Sequence, residues 1–365
     1  MNILHVYHSL TIGGIETFLC ALMNEQSRFH SVSFCTWLDG EENDTRLSPS
    51  IQRLSLHNPS LSKKYKYADE VRIFFLIWKG KYDIVHIHGA FDYYLLSAFL
   101  LHHRTRFVYT IHSEVEIENR RINRLGMSLK RFFFSRRWLV PVVLSRRFLP
   151  DFEKLYGCQA FVVENGLVKP QIQEQTPLLG KLSRGPKTRL FIHAGRICEA
   201  KNQLVLVKVF ERLIREGEDV MLLIVGPVSD EELFATIRPY FSDRIVYAGP
   251  SNDVPSLLAH ADAMCLPSLY EGFPISVLEA LSVGCISICT PVGGVEDMIT
   301  DNETGFIAKA VTEEDYEQAL RRYLRCDDAK LAEMHDSCHR SFKRFQISET
   351  SSRYEELYRT SNLDS

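Results

Sequence analysis

Short runs rich in β-branched and aromatic residues alternate with helical-length segments along almost the whole chain, the pattern of parallel sheets covered by helices. In the first half the strand candidates are Ile3–Tyr7, Val32–Trp37, Ile84–His88, Phe107–Ile111, Trp138–Leu144 and Phe161–Val163, with Glu16–Phe29 and Phe91–His103 the clearest helices. At Lys169–Lys187 the alternation lapses into KPQIQEQTPLLGKLSRGPK, polar and punctuated by Pro and Gly, as a linker between domains would be. It then restarts. Strands are expected at Leu190–His193, Met221–Val225, Ile245–Ala248, Ala263–Leu266 and Ile286–Cys289, and helices at Gln203–Arg215 and Val254–His260. The pattern predicts an α/β chain of two doubly wound parallel-sheet domains facing a central cleft. The first covers 1–170, a linker 171–187 and the second 188–345, while a C-terminal helix over 346–365 packs on the second domain or crosses back to the first. Ligands in this architecture bind at the carboxyl ends of the strands.

Composition narrows the class. With 45% hydrophobic and 24% charged residues, the chain has the balance of a globular protein with no biased tract. The longest apolar runs, such as Trp138–Leu144 and Met221–Val225, fall far short of the roughly 20 residues that cross a bilayer. MNILHVYHSL lacks the basic start and apolar stretch of a signal peptide, so a cytoplasmic protein is expected. Nine cysteines without a CxxC pair suit reduced thiols, with Cys198 and Cys265 read as small buried side chains.

Charge is uneven. Residues 1–170 hold 22 Lys and Arg against 16 acids, and the remainder 21 against 30. Much of the excess lies in RRINRLGMSLKRFFFSRR, Arg120–Arg137, with seven basic residues and no acid. A solvated helix face, a nucleic-acid patch and a surface for anionic lipid are all compatible with it, and Phe132, Phe133 and Phe134 are candidates to enter the core. The acidic second half and the lack of a recognised module argue against nucleic acid.

Candidate chemistry gathers at strand-to-helix turns. In EGFPISVLEALSVG, Glu271 follows the strand AMCLP by a few residues and is expected on a loop at the carboxyl edge of the sheet. Gly272 permits close backbone approach, and Pro274 suits the first turn of a helix running from about Pro274 to Val283. The free N–H groups of that turn would favour an oxygen-rich or anionic ligand beside Glu271. Glu279 falls on the second turn, either on a wet stripe with Ser276 and Ser282 or facing a ligand. In RICEAKNQ, Arg196 and Lys201 are placed to meet a nucleotide diphosphate, although loop cations are usually just solvated. In LTIGGIETF, Gly13 and Gly14 form either a phosphate-cradling turn or a tight turn only. His112 ends the strand in YTIHSEVEIE and is expected to point across the cleft, although a lone His is more often structural.

Taken together, GGIE, DIVHIHG, the His112 strand end, VENGL, HAGRICEAKNQ and ADAMCLPSLYEGFPISVLEALSVGCISICTPVGGVEDMI resemble, in the family's order, the retaining glycosyltransferases of family 4, or glycosyl transferases group 1. Glu271 and Glu279 look like its E-x7-E motif. The resemblance implies two Rossmann-like domains in the GT-B fold, with a nucleotide-sugar donor held mainly by the C-terminal domain. Glu279 would accept the ribose hydroxyls, and Arg196 and Lys201, helped by the Gly14 amide, would neutralise the diphosphate. Glu271 and the Gly272, Phe273, Pro274 and Ile275 segment would hold the transferred sugar, with His112 near the reacting carbon. The base would rest near Gly226–Val228 and Gly249–Ser251. No D-x-D occurs, so transfer with retention and without a metal or other cofactor is expected. The acceptor is expected to be a glycan or lipid-linked, in capsule, exopolysaccharide or lipopolysaccharide assembly. Arg120–Arg137, with Lys63–Lys66, would then meet anionic lipid on the inner face of the membrane as a peripheral surface. A nucleotide-sugar 2-epimerase and a non-catalytic nucleotide-sugar-binding protein are the rival readings.

Overall fold

The computed structural model describes residues 1–10, 13–36, 46–56, 66–89, 94–119, 122, 124–174 and 176–360. The chain forms two compact units, Met1–Leu167 with Ile347–Ser365, and Val168–Gln346. The first unit is therefore discontinuous in sequence.

Seven strands make the sheet of the first unit: β1 (Asn2–Val6), β2 (Ser31–Thr36), β3 (Gln52–Ser55), β4 (Ile84–Ile87), β5 (Arg106–Ile111), β6 (Val140–Val143) and β7 (Phe161–Val162). Their order is β3-β2-β1-β4-β5-β6-β7, and every pairing is parallel. The winding reverses between β1 and β4, which places a topological switch point there. Strand β3 escaped the hydrophobic pattern because QRLS is an edge segment whose residues are all partly or fully exposed. The expected helix start at Phe91 lies outside the described residues, and the helix is seen over Leu95–Leu101. Helix Ile347–Arg359 buries Tyr354, Leu357 and Tyr358 within this unit.

The sheet of the second unit contains β8 (Arg189–Ala194), β9 (Val220–Val225), β10 (Ile245–Tyr247), β11 (Ala263–Leu266), β12 (Ile286–Cys289) and β13 (Gly305–Ile307), in the order β10-β9-β8-β11-β12-β13. Here the winding reverses between β8 and β11. Residues 220–225 are buried throughout, as a central parallel strand covered on both faces requires. Helix Gln203–Arg215 shows how the faces are covered: Leu206, Val207, Phe210 and Leu213 recur at helical spacing and are wholly buried. Phe210 meets Phe191 of β8 with ring centroids 5.2 Å apart. Truncating a side chain so enclosed typically costs about 3–5 kcal/mol. Strand β13, GFI, is too short to stand out from its flanking turns.

Among the described residues no helix is long and apolar enough to cross a membrane. The basic stretch near residue 130 is amphipathic. Over Arg124–Ser135, Lys130, Phe133 and Phe134 turn inward, while Arg124, Leu125, Arg131 and Phe132, with Arg136 just beyond, face solvent. Lys130 therefore does not belong to a surface patch: its Nζ lies 3.3 Å from Asn119 Oδ1 and 4.8 Å from the centre of the Tyr109 ring. Phe132, at 41% exposure, stays out of the core that its two neighbours enter. Lys63, Lys64, Arg120 and Arg121 lie outside the described residues, as does the side chain of Lys66.

Candidate functional site

Three neighbouring strands of the second unit end in loops that lock onto one another. After β8, the segment 195–202 presents Arg196 at the surface and turns through Asn202, whose left-handed φ of 52° a short amide side chain tolerates. Asn202 Nδ2 donates to the Pro267 carbonyl after β11 at 3.2 Å, and Leu269 N donates to Ala200 O at 2.8 Å. The loop after β12 joins at Gly293 and Gly294: Gly294 N donates to Gly272 O at 2.8 Å. Gly293 has φ 56°, and a Cβ there would lie 2.3 Å from the Glu271 carbonyl oxygen, so only glycine permits this approach.

Within that frame, Lys201 Nζ lies 2.6 Å from Glu271 Oε1, with the two side chains 20% and 10% exposed. Ser268 Oγ donates to the same oxygen at 2.6 Å, and Ser268 O accepts from Thr290 Oγ1 at 2.6 Å. A cation and a carboxylate thus meet on either side of the switch point, and both stay partly accessible. The supports behind them are buried. His193 Nδ1 donates to Cys265 O at 2.9 Å, while Gln203 Nε2 donates both to His193 Nε2 at 3.1 Å and to Arg196 O at 2.8 Å. Burial holds His193 down at about 4, so near neutral pH it is an uncharged acceptor for Gln203.

The helix after Glu271 begins one residue later than the sequence predicts. Pro274 has ψ 118° and is the cap, and Ile275–Ser282 forms the helix, with Val277 N donating to Pro274 O. The side chains of Phe273, Pro274 and Ile275 are buried, and Phe273 packs at 5.9 Å from the Phe345 ring, so this segment offers a ligand its backbone. Glu279 is half-buried one turn on, in a stripe with Ser276 and Val283, whereas Ser282 is buried. Of the two cysteines near these motifs, Cys265 is buried and its thiol is pushed up to about 12, but Cys198 is partly exposed.

The loops after β9 and β10 approach the same edge. A Cβ on Gly226, which has φ 148°, would fall 2.0 Å from Gly195 O. Tyr247 Oη donates to Gly226 O at 2.8 Å, and Gly226 N donates to Gly249 O at 2.9 Å. The structure thus brings Arg196, Lys201, Glu271 and the Gly272–Ile275 segment to the carboxyl edge of one sheet. Ser268, Gln203, His193 and Gly293 are supports that sequence reasoning missed. The asparagine and glutamine of RICEAKNQ hinted at two of these contacts, but nothing local marks Ser268 or Gly293.

Gly14 and His112 belong to the first unit. Helix Gly14–Gln26 starts after Gly13, whose backbone is extended. The buried Glu16 carboxylate folds over Gly13, where an added Cβ would meet it at 2.3 Å. Thr17 N and Oγ1 both donate to Gly13 O. His112 follows β5, with Nε2 placed 3.0 Å from His88 Nδ1 and burial pulling it down to about 3.

Comparison with known proteins gives the chain its relatives. Residues 12–168 match the family described as Glycosyltransferase Family 4, and residues 176–340 match Glycosyl transferases group 1. N-acetyl-alpha-D-glucosaminyl L-malate synthase of Bacillus anthracis is 30% identical over 142 residues, which make up 38% of this chain and 36% of that protein. UDP-Gal:alpha-D-GlcNAc-diphosphoundecaprenol alpha-1,3-galactosyltransferase of Escherichia coli is 30% identical over 157 residues, 41% of this chain and 39% of that protein. The matched stretch thus spans well under half of each relative's length. Anabaena HepE, crystallised with UDP and glucose, superimposes with a TM-score of 0.81 at 18% identity, covering 98% of this chain and 99% of that one. The shared fold is GT-B.

Proposed function

Because the chain belongs to the group 1 glycosyltransferases of family 4, we propose that it is a retaining glycosyltransferase. It moves a sugar from a nucleotide-diphosphate sugar to a glycan or lipid-linked acceptor. The observation that carries this reading is the Lys201–Glu271 pair at the switch point of the second sheet, held by three interlocked strand-end loops. When the donor binds, its diphosphate takes the Lys201 ammonium together with the exposed Arg196 guanidinium, and Glu271 turns to hydroxyls of the transferred sugar. Backbone N–H groups of Gly272, Phe273 and Ile275, with Pro274 between them lacking one, add hydrogen bonds to that sugar, and Glu279 accepts from the ribose. In the first unit, the roles we propose are a backbone donor at the Gly14 amide and a contact to a sugar at His112.

In the transfer step the bond from the anomeric carbon to the phosphate oxygen breaks, and a bond to the acceptor oxygen forms on the same face. The acceptor's proton passes to the leaving phosphate oxygen. Negative charge builds on the diphosphate as the bond breaks, and fixed cations stabilise that charge more than they stabilise bound donor. With Arg196 and Lys201 supplying the positive charge, we expect no metal requirement. The E. coli relative is named for a diphosphoundecaprenol acceptor, which supports a lipid-linked acceptor here and a role in surface-polysaccharide assembly.

The test is a thermal-shift screen of nucleoside diphosphates and nucleotide sugars on the intact chain, followed by turnover with the donor that binds. A ligand at 100 times its Kd adds about 2.7 kcal/mol of stability. The wild type is expected to shift and Lys201→Ala to lose the shift. Failure of every nucleotide to shift the wild type would overturn the reading. Isomerisation of donor supplied alone would identify an epimerase instead.

A further inference from the structure

Four histidines lie side by side on the central strands of the first unit: His5 on β1, His86 on β4, His88 just past β4, and His112 just past β5. His5, His86 and His88 are close enough for their ring nitrogens to share an ion. All six of those nitrogens, however, are already engaged. His86 bonds Tyr358 Oη at 2.6 Å and Thr110 Oγ1 at 2.8 Å. The other rings form a line: Gln26 Oε1 to His5 Nε2 at 2.7 Å, His5 Nδ1 to His88 Nε2 at 3.0 Å, and His88 Nδ1 to His112 Nε2 at 3.0 Å. The line ends at His112 Nδ1, a buried nitrogen that no described residue hydrogen-bonds.

Burial holds every ring in this line below the usual histidine range, so all are neutral near pH 7. A hydrogen bond between two neutral imidazoles needs an N–H on one and a lone pair on the other, and each neutral ring has one of each. The line therefore has two self-consistent states, with every N–H pointing toward Gln26 or every N–H pointing away. A carbonyl oxygen can only accept, so Gln26 Oε1 selects the first. His5 donates from Nε2, His88 donates from Nε2 to His5, and His112 donates from Nε2 to His88. His112 Nδ1 is left with a bare lone pair.

We propose that Gln26, His5 and His88 are positioning residues that fix His112 in its Nε2–H tautomer, so that its Nδ1 can only accept a hydrogen bond. A buried acceptor without a donor is costly, and a hydroxyl or ammonium of a ligand satisfies it where a phosphate or carboxylate oxygen cannot. This rests on the reading above in one respect, that the ligand near His112 is a sugar. A sugar hydroxyl is a donor of the required kind, and the diphosphate is excluded from this nitrogen.

The proposal is tested without any ligand, so its failure is separate from failure of the glycosyltransferase reading. Long-range proton–nitrogen correlation spectra of the nitrogen-15 histidine-labelled chain, assigned with His112→Asn, distinguish a protonated ring nitrogen from one bearing a lone pair. In the wild type at pH 7, Nε2 of His112 is expected to be protonated and Nδ1 bare. Gln26→Glu keeps an acceptor at the anchor and should preserve that signature, whereas Gln26→Leu removes it and should give intermediate shifts at both nitrogens. A protonated Nδ1 in the wild type, or a His112 signature unchanged in a folded Gln26→Leu, overturns the assignment. Should Gln26→Leu fail to fold, the wild-type and Gln26→Glu spectra still decide.

Discussion

Acid should unfold the first unit well before the second, and the difference follows from where the neutral histidines are buried. His5 is held at about 4, and His86 and His88 well below 6.5, by removal of their rings from water. In the unfolded chain each returns to about 6.5 and binds a proton that the folded state refuses. Because the folded values are depressed, the penalty is absent above pH 7 and grows as pH falls below 6.5. At pH 5 His5, held at about 4, removes about 2 kcal/mol from the first unit, and His86 and His88, which burial depresses in the same direction, add penalties of the same sign. In the second unit His193, at about 4, is the corresponding fully buried ring and removes about 2 kcal/mol. For units of this size 1 kcal/mol moves a melting temperature by about 2–4 °C, so the second unit should drop by about 4–8 °C and the first, with two more depressed rings, by more than that. The assay is built into the sequence, since Trp37, Trp78 and Trp138, the chain's three tryptophans, all fall in the first unit. Tryptophan fluorescence then reports that unit, while far-ultraviolet circular dichroism reports both. Melts at pH 8, 7, 6 and 5 should show the fluorescence transition moving ahead of a second dichroism step. A fluorescence transition that holds its place from pH 7 to pH 5, or that falls only in step with the second unit, would refute the reasoning.

The other expectations are more local. Lys201→Ala and Glu271→Gln, each folded by circular dichroism, should lower kcat/KM for transfer by about a hundredfold or more, the first by loss of a preorganised cation at a developing phosphate and the second by loss of a charged acceptor for the sugar hydroxyls; a variant within threefold of wild type would remove that residue from the site. Gly226→Ala should destabilise the second unit by about 3 kcal/mol, because its Cβ would meet the Gly195 carbonyl at 2.0 Å in a backbone region closed to alanine. In a melt this would lower the second dichroism step and leave the tryptophan transition in place. We further propose that Arg124, Arg131 and Arg136, flanked by exposed Leu125 and Phe132, hold the chain to anionic lipid at about 1 kcal/mol per cation. Changing all three to Glu should abolish salt-sensitive sedimentation with phosphatidylglycerol vesicles, and a wild type that stays in the supernatant at low salt would end the idea.

Much of the fold was legible because a parallel strand buried on both faces must be apolar along its length, and IVHI, VMLLIV and ISIC announce themselves. Edges were harder to read, since QRLS is partly or fully exposed along its length and GFI, although buried at Gly305 and Phe306, is only three residues long. At the site, Arg196, Lys201 and Glu271 stood out because each lies within a short stretch whose glycines, prolines and charges have local meaning. Ser268, Gln203 and Gly293 did not, because their contacts depend on how neighbouring loops meet after the strands pair. The histidines show the same limit more sharply. His112 reads as a lone residue in sequence, and only the β1-β4-β5 register turns it into the end of a line that begins 86 positions earlier at Gln26.

The return of helix Ile347–Arg359 to the first unit has a consequence for how the chain is made. A ribosome must synthesise all of Val168–Gln346, roughly ten to forty seconds of work, before it reaches the helix that completes the unit it began with. During that interval His86 lacks Tyr358, and Thr110 lacks Tyr354. The second unit is contiguous and has all its strands in hand, so it can fold first. For this chain, order of synthesis and order of completion run in opposite directions.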